Sequence, residues 1–260
     1  MGTTLPDLSN IDVRALLRKL GDLTDSIVVV GGQAVSIWAE LYKDELPPDL
    51  RRRPLTSKDI DFTGGKKAVR LAADRLDGET LFPGPDDHNT PNIGVVKYVD
   101  LAGVEREIDF LDVPHGLKSA KDVNRRAQRV ELLDENDRPT GQRFRVLNPI
   151  HTLQSRMANV ATLPGGDSEA GLKQLRAAVA TARGFIRDVL ARAGARAALR
   201  VNEEVFRLAM GLHGLDLFAK HGIDVFDAVI ADPSLPETFR SKRYPQMKER
   251  LSSKRRRGAR

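Results

Sequence analysis

Three carboxylates in this chain have a spacing that suits metal chemistry: Asp59 and Asp61, one residue apart, and Asp109 about fifty residues on. They follow a Gly31-Gly32 step that closes the run Ser26-Ile27-Val28-Val29-Val30. Side chains alternate faces along a strand. In Lys58-Asp59-Ile60-Asp61-Phe62, Ile60 and Phe62 therefore share one face and the two aspartates the other. In Val104-Glu105-Arg106-Glu107-Ile108-Asp109-Phe110, the apolar side is Val104, Ile108 and Phe110, and Glu105, Glu107 and Asp109 lie opposite. If Ile108 and Phe110 join Ile60 and Phe62 in one core, all the acids fall on one exposed face. Clustered carboxylates repel, and a bound cation offsets that repulsion. Mg2+, or Mn2+ in its place, suits oxygen ligands and keeps open positions for phosphate oxygens. The plain alternative is a solvated acidic face, against which stands the poor fit of aspartate to strand interiors. Asp112 has the wrong parity for the set, and Glu107 is the alternative third ligand.

These residues need a sheet edge and a strand-to-helix turn. Gly31-Gly32 lets backbone N–H groups approach phosphates at a helix N-terminus, although an ordinary turn has the same look. It is neither a Walker loop nor a dinucleotide-binding glycine motif. Before residue 150, short β-type runs alternate with helical stretches; after it the pattern is almost wholly helical. A first helix, capped by Ser9 or Asn10, runs to Leu20. A strand over 26–30, a helix over 33–42, a strand over 58–63 and a helix over 66–76 follow. Hairpins are expected at 93–99 with 104–111, and at 128–133 with 143–147. The stretch 43–56, with three prolines and Arg51-Arg52-Arg53, reads as loop. Helices are expected over 149–161, from a cap at Asp167 or Ser168 to 193, over 202–220 and over 225–230. The division is a catalytic region over 1–148, a helical region over 149–240 and a basic tail over 241–260, read as a frayed helix and tail.

The chain has 260 residues, 40% hydrophobic, with no cysteine and a formal net charge of +6. Disulfide frameworks and thiolate zinc sites are excluded. No apolar run is long enough to span a bilayer, and the start lacks a signal-peptide pattern, so a cytoplasmic protein without a membrane partner is expected. The basic balance suggests an acidic partner such as nucleic acid, though much of it sits in Lys254-Arg255-Arg256-Arg257 and Arg260. Arg176, Arg183, Arg187, Arg192 and Arg196 read as a solvated helix face rather than an RNA groove. His88, His115, His151, His213 and His221 lack metal-ligand spacing. Asn148 and Asn159 are weak candidates for nucleotide contact, as are Lys66 and Lys67 for phosphate.

Together the segments Val28-Val29-Val30-Gly31-Gly32-Gln33-Ala34, Lys58-Asp59-Ile60-Asp61-Phe62 and Glu107-Ile108-Asp109-Phe110 resemble the nucleotidyltransferase superfamily of the DNA polymerase β type. More narrowly, Thr56-Ser57-Lys58-Asp59-Ile60-Asp61-Phe62 is similar to the acid strand of the nucleotidyltransferases of abortive-infection and toxin–antitoxin systems. The resemblance covers roughly residues 26–112, with a fainter echo at Leu147-Asn148-Pro149-Ile150-His151 and the helix carrying Arg156, where toxin-type relatives often have lysine. The 42–56 insertion lengthens the family's usual spacing between glycine and acid motifs. The resemblance implies an α/β (α+β) nucleotidyltransferase fold, a mixed sheet with flanking helices and a helical C-terminal domain. It implies that Gly31, Gly32 and Arg156 bind a nucleoside triphosphate such as ATP. Asp59, Asp61 and Asp109 would hold the metals, Asp109 also serving as base. The implied reaction moves a nucleotide to an acceptor hydroxyl, with tRNA or another RNA as acceptor and an antitoxin protein as cognate partner. Transfer to an aminoglycoside-like small molecule or to protein, and an inactive binding module, are the alternatives.

Overall fold

The structure, a computed structural model, describes residues 8, 10–52, 55, 59–84, 86–87, 90–100, 102–134 and 136–258. It is a mixed α/β protein. Among the described residues it has one seven-stranded mixed sheet and ten α-helices. In chain order these are α1 (Asn10–Leu20), β1 (Val28–Val30), α2 (Gly31–Leu41), α3 (Pro48–Arg51), β2 (Ile60–Thr63), α4 (Lys66–Leu76), β3 (Glu79–Leu81), β4 (Asn92–Val99) and β5 (Glu105–Leu111). Then come α5 (Ala120–Arg126), β6 (Gln128–Leu133), β7 (Pro139–Val146), α6 (Pro149–Thr162), α7 (Glu169–Ala193), α8 (Ala195–Met210), α9 (Leu212–His221) and α10 (Tyr244–Gly258). The chain forms two compact units, 1–37 with 54–152 and 38–53 with 153–260, and it passes between them within α2 and again within α6.

The first unit holds the sheet, in the order β3-β4-β5-β2-β1-β7-β6. β2 pairs in parallel with β5 and antiparallel with β1, and β1 runs parallel to β7. The β2–β5 register sets Ile60 beside Ile108 and Phe62 beside Phe110. All four are at most 1% exposed, and the two phenyl rings stack with centroids 5.6 Å apart. The parity expected from sequence is therefore met: one face of these strands is core. Helix α4 packs on β3 and β4, and α1 on α4 and β6. The α1 cap expected at Ser9 lies outside the described residues, as does the 56–58 lead-in to β2; Asp59 immediately precedes that strand.

The second unit is built on α7, which Ser168 caps by accepting from the Gly171 N–H and which ends at Gly194 with φ +79°. The expected loop over 43–56 contains a 3-10 turn and α3. Arg51 closes it by donating from Nε to the Leu46 carbonyl at 2.7 Å and from its guanidinium to that of Asp44. Arg52 is exposed, and Arg53 lies outside the described residues. Glu45 is held by Arg183 and Arg187, while Asp188 accepts from Tyr42 Oη at 3.1 Å and pairs with Arg192. Three of the five arginines read as a solvated face are thus engaged in the unit's own ion pairs. The helix expected over 202–220 is two helices, broken at Gly211; at Gly214 a Cβ would come within 2.4 Å of the Leu208 carbonyl oxygen, so α9 folds back closely on the end of α8.

The stretch read as a frayed helix and tail holds the regular helix α10, anchored by Met247 (0% exposed) and Leu251 (2%). Arg255 pairs with Asp224 and lies 3.7 Å from the Phe218 ring centre, and Arg243 donates to both oxygens of Glu203 at 2.8 and 3.0 Å. No helix among the described residues is long and apolar enough to cross a membrane. Phe110→Ala should destabilise the protein by about 3–5 kcal/mol, the range for emptying a buried aromatic site. Urea unfolding would check this; a loss below about 1 kcal/mol would mean that the stacked pair is not central to the core.

Candidate active site

The β2–β5 register that buries Ile60, Phe62, Ile108 and Phe110 turns the acids to the opposite face. Asp61 and Asp109 are direct partners across the parallel pair. Strand β1 continues the row, with Val30 opposite Asp61. Asp59 is exposed, one step before Ile60, and Glu105 and Glu107 are exposed on β5. Lys97, across from Glu107 on β4, bonds to it at 3.0 Å. The alternative third acid is thus partly committed to a lysine.

Gly31 ends the row of β1 and opens α2. Its φ is +63°, and a Cβ placed on it would lie 1.8 Å from Asp61 Oδ2. Two independent demands therefore require glycine: the left-handed backbone, and the Asp61 carboxylate lying directly against its Cα. The helix begins at Gly31 itself, two residues earlier than expected, and buried Gly32 lies in its first turn. Ser36 Oγ donates to the Gly32 carbonyl at 3.2 Å, fixing that turn from one helical turn downstream.

Asp109 is half-buried. Burial raises its proton affinity above the ordinary carboxylate range, and the charges of Asp59 and Glu107 raise it further. Asn92 opposes this by donating from Nδ2 to Asp109 Oδ1 at 2.9 Å. Asn92 was not anticipated from sequence. By simple alternation with Gly94, Val96 and Tyr98 it belongs on the core side. A register shift between Asn92 and Gly94 sets it opposite Leu111, on the face that Asp109 shares.

Several of the remaining candidates have partners of their own. Arg156, on α6 in the second unit, donates from Nη1 to Gln174 Oε1 at 2.9 Å. Asn148 Oδ1 accepts from the Ile150 N–H at 2.9 Å and so caps α6. His151 is buried, its Nε2 3.2 Å from Asp122 Oδ2 and 3.1 Å from Arg126 Nη1. Lys66 lies over the Phe82 ring, 5.9 Å from its centre. His88 lies outside the described residues.

Beside the acid row is an open groove of about 530 Å3, which Asp59, Asp77, Glu79, Glu105 and Glu107 line together with Lys97. Arg106 also reaches it, but its guanidinium is bonded to Asp100 at 2.9 Å and nearly buried. Among the described residues, no group of three or more histidine, aspartate or glutamate side chains forms a ready-made metal cluster. The aligned pair Asp61 and Asp109, with Asp59 one alternation earlier on the same face, supplies oxygen donors of the type a hard divalent cation takes. No protein-family model matches the chain, and no curated protein matches it.

Gly31→Ala should cost more stability than Gly103→Ala. Both glycines have positive φ, but at Gly103 a Cβ would meet nothing within 4 Å. Strain alone accounts for about 1–2 kcal/mol at each. The excess at Gly31, measured by thermal unfolding of the two variants, reports the displaced Asp61. Equal losses would mean that the carboxylate moves aside without penalty.

Proposed function

We propose that this protein is a metal-dependent nucleotidyltransferase of the DNA polymerase β type. The observation that carries the reading is the direct alignment of Asp61 with Asp109 across β2 and β5, with Gly31 packed on the Asp61 carboxylate. Asp59, Asp61 and Asp109 would hold Mg2+ or Mn2+, which when bound neutralises charge on the triphosphate and on the attacking oxygen. Gly31 and Gly32 supply a turn close enough for backbone N–H groups to meet a nucleoside triphosphate. An acceptor hydroxyl attacks the α-phosphorus. The new phosphorus–oxygen bond forms as the bond to the β-phosphate oxygen breaks, and pyrophosphate departs. The acceptor proton goes to Asp109, which stands beside Asp61 on the acid face. Asn92 anchors Oδ1 and so presents Oδ2 to the proton. Positioning and charge neutralisation supply the rate.

The acceptor in this reading is RNA, with tRNA the form the resemblance suggests. The acidic groove favours a second reading: a cationic, hydroxyl-bearing small molecule of the aminoglycoside kind. Its lining is dominated by carboxylates, and its lysine and arginine are already bonded to acids.

The test is incubation with Mg2+, an α-labelled nucleoside triphosphate of each base, and either total RNA or an aminoglycoside. Label transferred to RNA supports the first reading, and label on the small molecule the second. Asp59→Ala, Asp61→Ala or Asp109→Ala should each lower transfer by more than about a hundredfold, beyond the 10–100-fold expected of Asn92→Ala as an outer partner of the site. Full activity in folded Asp61→Ala would overturn the proposal.

A further inference from the structure

The face that carries the acid row repels phosphates except where a cation intervenes, so an RNA acceptor needs a positive surface elsewhere on the chain. Helix α10 offers one. It has six basic residues and one acidic residue and accounts for five of the chain's net six positive charges. Its anchoring at Met247 and Leu251 converts what would be a diffuse charged tail into a fixed ridge. Arg250, Lys254 and Arg257, at helical spacing, are exposed and line an open groove of about 550 Å3 with Met210, Leu215 and Ser253. They span about 10 Å along the helix axis. Lys254 is steadied by donating from Nζ to the Met210 carbonyl at 2.8 Å.

We infer that this ridge of α10 is a docking surface for the phosphodiester backbone of RNA. The inference takes RNA as the acceptor, as in the first reading above, but locates where it is held. Three features point to a polyanion. The charges are borne by long side chains on an ordered helix, so little backbone entropy is lost on binding. Of the six exposed residues from 248 to 257, five are basic and one, Glu249, is acidic. The groove floor, Met210 and Leu215, is apolar and gives a ribose or base a surface to lie against. A lipid surface fits less well, because the apolar residues of α10 are buried in the unit's own core and leave no stripe to enter a bilayer.

The experiment is fluorescence anisotropy with a labelled single-stranded RNA of ~20 nucleotides, longer than a typical 4–16-nucleotide binding site. Two full-length variants are compared with the parent protein: R250Q/K254Q/R257Q and a control, R176Q/R196Q/R200Q, that removes the same charge from exposed arginines of α7 and α8. The ridge variant should bind at least about tenfold more weakly, with a log–log salt slope smaller by about 2, the value for three lost contacts to single-stranded phosphates. The control should stay within about threefold of the parent. Equal weakening in the ridge and control variants would overturn the inference, since net charge alone would then explain binding. So would displacement of the RNA by polyglutamate at equal charge concentration, which would assign the ridge to an acidic protein. Ridge-dependent binding without nucleotide transfer to RNA would keep the docking surface and discard RNA as the acceptor. Circular-dichroism melting of both triple variants establishes that they fold.

Discussion

The register of β2 against β5 is the constraint on which the rest of the first unit depends. A strand repeats every two residues, so a single pairing decides both of its faces at once. With Phe62 beside Phe110 and Ile60 beside Ile108, four large side chains enter the core and Asp61 must stand beside Asp109. A slip of one residue would bury Asp59 and Asp61 and expose the phenyl rings, adding uncompensated buried charge to lost apolar burial. Packing therefore enforces the proximity of like charges that solution electrostatics alone would separate. The β1 pairing extends the same logic. By placing Val30 opposite Asp61 it delivers Gly31 to the carboxylate, and only a residue without Cβ can occupy that position.

Charge in this protein is segregated rather than distributed. The overall balance is basic, yet the face beside the acid row and its groove is acidic. Most of the positive excess resides in one helix at the other end of the chain. The arginines of α7 contribute less to the outer field than their number suggests, because Arg183, Arg187 and Arg192 are paired with Glu45 and Asp188. A single net charge thus describes neither surface, and inferences about partners have to be drawn unit by unit.

The parity of the acid strands was legible because it rests on strict alternation over short, strongly apolar segments. The β4–β5 hairpin and α4 were legible for similar reasons, each having a clear period. Other features depend on interactions that no local pattern carries. Strand β3 is three residues long and largely exposed, so it has no alternation to read. Helix α5 buries only Val123 and owes its start to the Ser119 cap. In α10, two apolar anchors sit among charges, and the ion pairs that hold the helix and the turn before it reach back to Asp224 and Glu203, about thirty and forty residues earlier in sequence. Asn92 escaped because a bulge moves it to the face opposite the one its spacing assigns.

That bulge also bears on how the site tolerates itself. Asp109 is half-buried beside other carboxylates, an arrangement that by itself favours taking up a proton. A regular β4 would leave Asn92 on the core side and Asp109 without this donor. The register shift costs part of the β-ladder locally, and in exchange a neutral amide holds one carboxylate oxygen without adding a positive charge that would compete for the others. A lysine at the same place would form an ion pair with Asp109, as Lys97 does with Glu107 one alternation earlier on the strand. The two acids on one strand thus differ in their partners, Asp109 held by an amide and Glu107 by an ammonium. The local irregularity of an otherwise consistent sheet thus falls on β4, at the residue that donates to Asp109.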